Sequence, residues 1–351
     1  MYPKIKIDLN KIKANCKIVV DQCEEKGISV TAIMKSFCAR PEIAEALVES
    51  GVKYLGDARL ENLKRVSHIN IEKILIRIPS KSAAKDVIKY SDISLNSELE
   101  VIKLLNKYAA EENKIHKIVL MVELGDLREG ILEEDILDVV KEVQKLKNIK
   151  LFGIGVNLTC YGGVIPTPKN LGKLIEINEK IKMETGIELE MISGGNSSSY
   201  YLVQNGKLPI GINNLRMGET IVFGTESAYG ERIKGTHNDV FTVEAEIIES
   251  KVKNSIPEGE IGFDAFGNKP VFEDLGKIKR AILSIGRQDT EFSGMIPLDE
   301  NIQCLGCSSD HFILNVTGTD YKIGDIVKFR LNYSALLKLM TSEYVNKEYI
   351  N

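Results

Sequence analysis

The sequence lacks any long apolar run. No window approaches a membrane-spanning segment, and Met1–Lys6 contains neither the apolar stretch nor the cleavage site of a secretory signal peptide. An excess of basic charge is also absent, since the formal net charge is -4 and basic residues are interspersed with acidic ones. This pattern provides no basic surface that would bind nucleic acid. We therefore expect a cytoplasmic protein that binds neither membranes nor nucleic acid.

Cysteine is scarce, and its six positions are scattered through a long chain, which indicates reduced thiols rather than a disulfide framework. Cys304 and Cys307 form the one pair at metal or redox spacing, and no second pair accompanies them. A metal-assisted lyase or aldolase using these cysteines with Asp310 or His311 is an alternative, but the spacing matches no complete metal site. We therefore predict no bound metal.

The length and the internal pattern predict two domains. At 351 residues the chain exceeds what one core usually supports, and 43% hydrophobic and 27% charged residues are typical of a globular protein. Short apolar strands alternate with amphipathic helices up to about residue 225. Eight such strands imply a parallel sheet closed into a (β/α)8 TIM-type barrel, with an open doubly wound sheet as the alternative. The predicted strands are 28–34, 53–56, 73–78, 92–95, 117–123, 151–156, 189–193 and 214–217.

The pattern changes beyond Gly224. Four strand-like segments follow, separated by Gly, Pro, Asn and Asp turns without helical spacers, with one short helix near Leu336–Met340. We predict a barrel over residues 1–225 and a smaller all-β domain over residues 226–351. The predicted strands of the second domain are 241–252, 279–285, 312–316 and 326–331.

Polar residues collect where the barrel strands should end, which is where barrel enzymes carry their chemistry. Lys35 follows the first strand, Asn157 follows the sixth, and Arg216 lies on the eighth. A lysine at a strand end is usually a solvated surface residue, but burial and neighbouring cations can make it a Schiff-base nucleophile.

The segment Ser193–Ser199 follows the seventh strand and reads Ser-Gly-Gly-Asn-Ser-Ser-Ser. Two glycines permit close backbone approach, hydroxyl and amide groups supply donors, and a helix N-terminus favours an anion. A glycine turn with a serine cap is the alternative interpretation. A phosphate cradle, a lysine and an arginine at three strand ends suit pyridoxal 5'-phosphate.

Several motifs together resemble the alanine racemase-like, fold-type III pyridoxal-phosphate enzymes, and most closely their ornithine racemase branch. The resemblance covers nearly the whole chain. Its motifs are Lys35 after the first strand, Gly125-x-x-Arg128-x-Gly130, the Ser193–Ser197 turn, Asn213–Glu219, Gly286–Asp289 and Ser308–His311.

The resemblance implies a barrel, a C-terminal β-domain and a homodimer in which the partner's β-domain completes each active site. It implies that Lys35 holds the cofactor and exchanges the α-proton of an amino-acid substrate, and that Arg128 lies near the phenolic oxygen of the cofactor and the substrate carboxylate. Arg216 would bond the pyridine nitrogen. The cofactor-binding set is completed by Asn157, Ser193, Gly195, Asn196, Ser197 and Tyr344.

Two positions depart from alanine racemases. Asn157 stands where those enzymes have a histidine near the ring, and Arg287 replaces the tyrosine that supplies their second base. Racemisation needs an acid or base on each face of the substrate, so Asp289, Asp310 and His311 are candidates for the second face. The expected activity is racemisation of a basic amino acid, ornithine before lysine. A broad-specificity racemase and a non-enzymatic pyridoxal-phosphate carrier are the alternatives.

Overall fold

The computed structural model describes all 351 residues. They form two compact units, one of residues 9–238 and one of residues 1–8 with 239–351. The sequence predicted a boundary between residues 225 and 226. The first strand, β1 (Lys4–Asp8), pairs with residues 241–244 and 346–350 and therefore belongs to the second unit, whereas residues 226–238 belong to the barrel unit.

The barrel unit contains eight parallel strands that close into a barrel, so the predicted TIM-type architecture is confirmed. Each predicted strand is present, with ends that differ by a few residues. The strands are β2 (Ser29–Ile33), β3 (Tyr54–Asp57), β4 (Lys73–Leu75), β5 (Ile93–Asn96), β6 (His116–Val122), β7 (Ile149–Val156), β8 (Met191–Asn196) and β9 (Asn214–Met217).

Helices surround these strands and follow the apolar periodicity of the sequence. In α1, for example, Ile12, Cys16, Val19 and Cys23 are buried on one face. The helices are α1 (Leu9–Glu24), α2 (Pro41–Glu49), α3 (Leu60–Arg65), α4 (Ala84–Tyr90), α5 (Leu99–Glu111), α6 (Ile136–Val143), α7 (Pro168–Thr185), α8 (Tyr200–Gln204) and α9 (Glu219–Phe223). None of the helices in the structure is long and apolar enough to cross a membrane.

The barrel core is a packed cluster of side chains from successive strands. Large apolar residues alternate along the strands and exclude water, which is the main source of stability in such a fold. The cluster comprises Tyr54, Ile74, Ile93, Leu95, Val119, Met121, Phe152 and Met191.

The second unit, called the β unit below, is an eight-stranded sheet with one helix. Strands β10 (Phe241–Asn254) and β11 (Lys277–Leu283) form its central antiparallel pair, and β1 runs antiparallel to β10 and parallel to β16 (Asn346–Ile350). Its remaining elements are β12 (Met295–Pro297), β13 (Gln303–Cys307), β14 (Phe312–Asn315), β15 (Ile326–Leu331) and α10 (Tyr333–Thr341).

Candidate active site

Buried polar atoms without a hydrogen-bond partner collect at one end of the barrel. Six such atoms occur in the barrel unit, and all six lie at the carboxyl end of a strand or in the segment that leads from that end into the first turn of the next helix. Native proteins satisfy most buried polar groups, so such a concentration indicates groups reserved for a ligand or ordered water. The atoms are Arg40 Nε, Asp57 Oδ2, Asn96 Oδ1, Asn157 Nδ2, Ser198 Oγ and Thr220 Oγ1.

Arg216 on β9 is fixed by two hydrogen bonds. It donates through Nη1 to Ser193 Oγ at 2.6 Å and through Nη2 to the carbonyl oxygen of Val156 at 2.7 Å. Burial lowers the pKa of Arg216 to about 10, and the Glu129 carboxylate opposes this shift. The guanidinium is therefore protonated at neutral pH, and it keeps N–H donors for a further acceptor.

Ser193 contacts the arginine in the structure. Its hydroxyl donates to Asn214 Oδ1 at 2.8 Å and accepts from Arg216 Nη1 at 2.6 Å. Neither partner belongs to the turn after β8. The assignment of Ser193 to the phosphate cradle stays a prediction. Because strands β8 and β9 are neighbours, the Ser193 hydroxyl lies at the guanidinium of Arg216 in the structure.

The turn after β8 forms a cradle lined by hydroxyl groups. Gly195 adopts a φ of +113°, and a Cβ atom there would lie 2.7 Å from Ser199 Oγ, so glycine is required. Asn196 Oδ1 accepts from the backbone N–H of Ser198 at 2.8 Å. Ser197 Oγ accepts from the backbone N–H groups of Gly218 and Thr220, each at 3.2 Å.

Two buried hydroxyl groups in these turns remain without partners. They belong to Ser198 after β8 and Thr220 in the first turn of α9 after β9. Hydroxyl donors at the turns after the seventh and eighth barrel strands fit a phosphate group, which barrel enzymes often bind there. The donor set therefore fits the phosphate of pyridoxal phosphate.

Lys35 lies two residues beyond the end of β2, as the first residue of a short 3-10 turn, Lys35–Phe37. The N–H of Met34 donates to the Gly56 carbonyl oxygen at 2.9 Å and ties this turn to β3. The side chain is exposed in the single chain. The sequence had placed it directly after a strand ending at residue 34, one residue beyond the observed end of β2.

The charge of Lys35 affects the pKa of two carboxyl groups, those of Asp57 and Glu219. Burial raises the pKa of Asp57 to about 6 and also raises the pKa of Glu219, and in both cases the lysine charge opposes the rise. The ammonium group of Lys35 is therefore within electrostatic range of two carboxyl groups at the carboxyl end of the barrel.

Arg128 lies in the loop after β6, paired with its neighbour. Its Nη2 donates to Glu129 Oε1 at 2.5 Å and its Nε donates to Glu129 Oε2, which raises the pKa of Arg128. Asp126 anchors the loop by accepting from the backbone N–H groups of Tyr161 and Gly162, each at 3.1 Å.

Asn157 follows β7 and contacts the cradle. Its Oδ1 accepts from Asn196 Nδ2 at 3.1 Å, and its own Nδ2 is buried without a partner. Cys160 is the third member of this group, with Sγ 3.3 Å from Asn196 Nδ2. The amide of Asn157 thus has a donor available where a cofactor ring was expected.

Four further residues were absent from the sequence-based assignment, namely Asp57, Glu129, Ser198 and Thr220. Ser198 belongs to the quoted serine run, and Thr220 stands two residues after Gly218 at a helix start, so position alone gave a signal for both. Asp57 and Glu129 belong to polar segments that follow predicted strands, but only the fold places Asp57 within electrostatic range of Lys35 and Glu129 within range of both arginines.

The remaining predicted site residues lie in the β unit. Asp289, Asp310, His311 and Tyr344 line one cavity of about 450 Å³. Asp289 is buried and accepts from Ser342 Oγ at 2.7 Å, whereas the other three side chains are exposed. No group of three or more His, Cys, Asp or Glu side chains in the structure is arranged to hold a metal ion.

Arg287, which stands where the resemblance places a tyrosine, lies outside that cavity lining. Its guanidinium stacks over the Phe266 ring, with 4.4 Å between Cζ and the ring centroid. The Arg287 guanidinium therefore has an aromatic partner within the β unit. It does not line the cavity that contains Asp289 and Asp310.

Comparison with known proteins supports the same group of enzymes. Residues 7–226 match the family model described as alanine racemase, N-terminal domain. The chain is 51% identical over 351 residues to ornithine racemase from Acetoanaerobium sticklandii, and the match covers 99% of both chains. It is 39% identical over 352 residues to lysine racemase from Thermotoga maritima, again over 99% of both.

A solved structure agrees with the fold. Alanine racemase from Bartonella henselae with covalently bound pyridoxal phosphate superposes with a TM-score of 0.77 at 17% identity, over 100% of both chains. At that identity the match shows the fold alone. Because the family model spans most of the chain and two relatives match its full length, the protein belongs to the family defined by the alanine racemase N-terminal domain.

Proposed function

We propose that the protein is a pyridoxal-phosphate-dependent racemase of a basic amino acid, with ornithine as its substrate. The observation that carries this proposal is the concentration of unpartnered buried polar atoms at the carboxyl end of the barrel, beside Lys35 and Arg216. The 51% identity to ornithine racemase supports the substrate, and the 39% identity to lysine racemase supports the same substrate class.

Different barrel residues would bind different parts of the cofactor. Ser197, Ser198 and Thr220 would hold the phosphate through hydroxyl groups and nearby backbone N–H groups. Lys35 would hold the cofactor covalently, and Arg216 would donate to the ring nitrogen. When bound, pyridoxal phosphate stabilises the negative charge that develops on the α-carbon as the proton leaves.

Arg216 restricts which reactions follow. Its pKa of about 10 keeps it protonated at neutral pH, so it would donate a hydrogen bond to the ring nitrogen without transferring the proton. Pyridoxal phosphate bound in this way would withdraw fewer electrons than it would with a protonated ring. This restraint favours proton exchange at the α-carbon over decarboxylation and transamination.

Racemisation requires a proton-transfer group on each face of the substrate, and positioned proton transfer contributes about 100- to 10,000-fold in rate. Lys35 serves one face. On the other face, Asp289 or Asp310 from the β unit of a second copy would transfer the proton, in a homodimer. Their shared cavity supports this assignment, because it also provides carboxylates for the distal ammonium group of a diamino acid.

The second-face assignment is tested by following each enantiomer separately. Replacement of the second base, by Asp289→Asn or Asp310→Asn, should abolish racemisation but leave α-proton exchange from the enantiomer that presents its proton to Lys35. His311→Gln tests the third candidate of the same cavity and should retain racemisation if an aspartate is the second base. Retention of full racemisation by both aspartate variants would exclude these residues.

The activity itself is tested in D2O with the purified protein and pyridoxal phosphate. We expect loss of the α-proton NMR signal of L-ornithine and the appearance of D-ornithine. Lysine is longer by one methylene, a difference worth about 10- to 200-fold in specificity, and should react more slowly. Absence of exchange with both amino acids would refute the proposal. A non-enzymatic carrier has no observation in its favour, since both full-length relatives are named racemases.

A further inference from the structure

Two arginines lie close enough at the carboxyl end of the barrel to influence each other. The charge of Arg128 lowers the pKa of buried Arg216, which is the expected effect of one cation on another. Glu129 acts on both, and its carboxylate raises the pKa of each guanidinium. Among the carboxylates of the structure, Glu129 alone has this double effect.

The contact between Glu129 and Arg128 has a defined geometry. Glu129 Oε1 accepts from Nη2 at 2.5 Å and Oε2 accepts from Nε, so the carboxylate occupies one edge of the guanidinium. The opposite edge, with both hydrogens of Nη1 and the second hydrogen of Nη2, keeps its donors. The Glu129 side chain is 10% exposed, whereas that of Arg128 is 38% exposed.

The backbone around this pair is restrained by other contacts. Glu123 Oε1 accepts from the Leu127 N–H at 3.1 Å. Gly130 has a φ of +150°, and a Cβ atom there would lie 2.4 Å from the backbone nitrogen of Glu123. Asp126 binds the loop to residues 161 and 162. The loop therefore holds Glu129 in place, and Glu129 in turn holds the more exposed arginine.

We propose that Glu129 is a positioning residue that fixes the guanidinium of Arg128 so that its free edge receives the carboxylate of the amino-acid substrate. Glu129 also offsets one of the two positive charges, so that Arg128 remains beside Arg216 despite their repulsion. This inference rests on the proposed racemase function for its substrate, but the pairing itself is a property of the protein alone.

The kinetic test uses Glu129→Gln, which keeps the shape of the side chain and removes its charge. We expect the KM for L-ornithine to rise about 10-fold or more because Arg128 is no longer fixed, with kcat changed less than about 3-fold. Binding of pyridoxal phosphate should persist, because Lys35, Arg216 and the turn after β8 hold the cofactor. Glu129→Asp keeps the charge on a shorter arm and should give an intermediate KM.

The matched control is Glu188→Gln, which removes the carboxylate of an exposed ion pair with Lys182, 2.7 Å apart. It should leave KM, kcat and cofactor binding unchanged. Glu129 should act only through Arg128, so Arg128→Gln combined with Glu129→Gln should have the KM of Arg128→Gln alone. An unchanged KM in Glu129→Gln, or a further rise in the double variant, would overturn the inference.

A second readout does not depend on turnover. In urea unfolding of the full-length protein, Glu129→Gln should lower the midpoint because the two guanidinium groups then repel without compensation. Adding Arg128→Gln should restore much of that loss. Additive midpoint shifts would contradict the pairing. Failure of the wild-type protein to exchange ornithine would instead refute the proposed function and leave this coupling measurable.

Discussion

The two ends of the barrel both bury charged or titratable side chains, but they satisfy them differently. At the amino end, Lys73 Nζ donates to the carbonyl oxygens of Ile69 at 2.7 Å and Ile71 at 2.9 Å. His116 Nε2 lies 2.8 Å from Ser94 Oγ. At the carboxyl end, by contrast, six buried polar atoms have no partner. Polar groups are therefore buried at both ends of the barrel, but buried polar atoms without a hydrogen-bond partner occur at the carboxyl end.

The same comparison separates a perturbed pKa from a functional site. Burial lowers the pKa of Lys73, with Asp92 opposing the shift, and burial lowers the pKa of His116 to about 4. Both residues line a cavity of about 370 Å³ at the amino end. A search for perturbed pKa values inside a cavity would select these residues. Because both side chains are hydrogen-bonded within the protein, we infer that they stabilise the fold, which is the usual role of residues at this end of a barrel.

The largest expected effect contrasts the two lysines. Lys35→Ala should reduce racemisation at least about 1,000-fold, because both the covalent anchor and one proton-transfer group are lost. Lys73→Met should leave turnover within about 3-fold but destabilise the protein by about 1–3 kcal/mol, since it leaves carbonyl oxygens unsatisfied. Ornithine turnover and urea unfolding of both variants measure the contrast, which would disappear if Lys73→Met lost the activity instead.

A second prediction concerns the pH dependence of stability at the amino end. The folded-state pKa of His116 is about 4, below its usual 6.5, so the unfolded chain binds a proton first as the pH falls. Stability should be complete above pH 6.5 and decline by about 3 kcal/mol as the pH falls to 4. His116→Gln should remove this part of the decline. Urea midpoints across the pH range measure it, and parallel curves for the two proteins would contradict the assignment.

The smallest expected effect concerns the unpartnered hydroxyl groups. Combining Ser198→Ala with Thr220→Val removes two buried hydroxyl groups that have no partner within the protein. Each lost hydrogen bond to a phosphate should weaken cofactor binding by about 1–2 kcal/mol, whereas stability without cofactor should not fall. Equilibrium dialysis with pyridoxal phosphate and thermal unfolding give the two values. Unchanged cofactor affinity would mean that these atoms serve another ligand.

The sequence was sufficient for the barrel because apolar strands and amphipathic helices alternate at regular spacing. It was insufficient for β1, whose alternating Ile5 and Ile7 become meaningful only beside β10, far along the chain. The strand-end residues Lys35 and Arg216 were likewise visible in the sequence. The bonding of Ser193 to Arg216 was not, because it depends on which strands are neighbours and on the direction of each side chain.

The most direct measurement of the central claim is to trap bound pyridoxal phosphate on the full-length protein with borohydride and to locate it by peptide mass mapping. We predict a single modified lysine, Lys35, at the end of the barrel where buried polar groups lack partners. Modification of Lys73, the buried lysine of the other end, or of no lysine at all would contradict it.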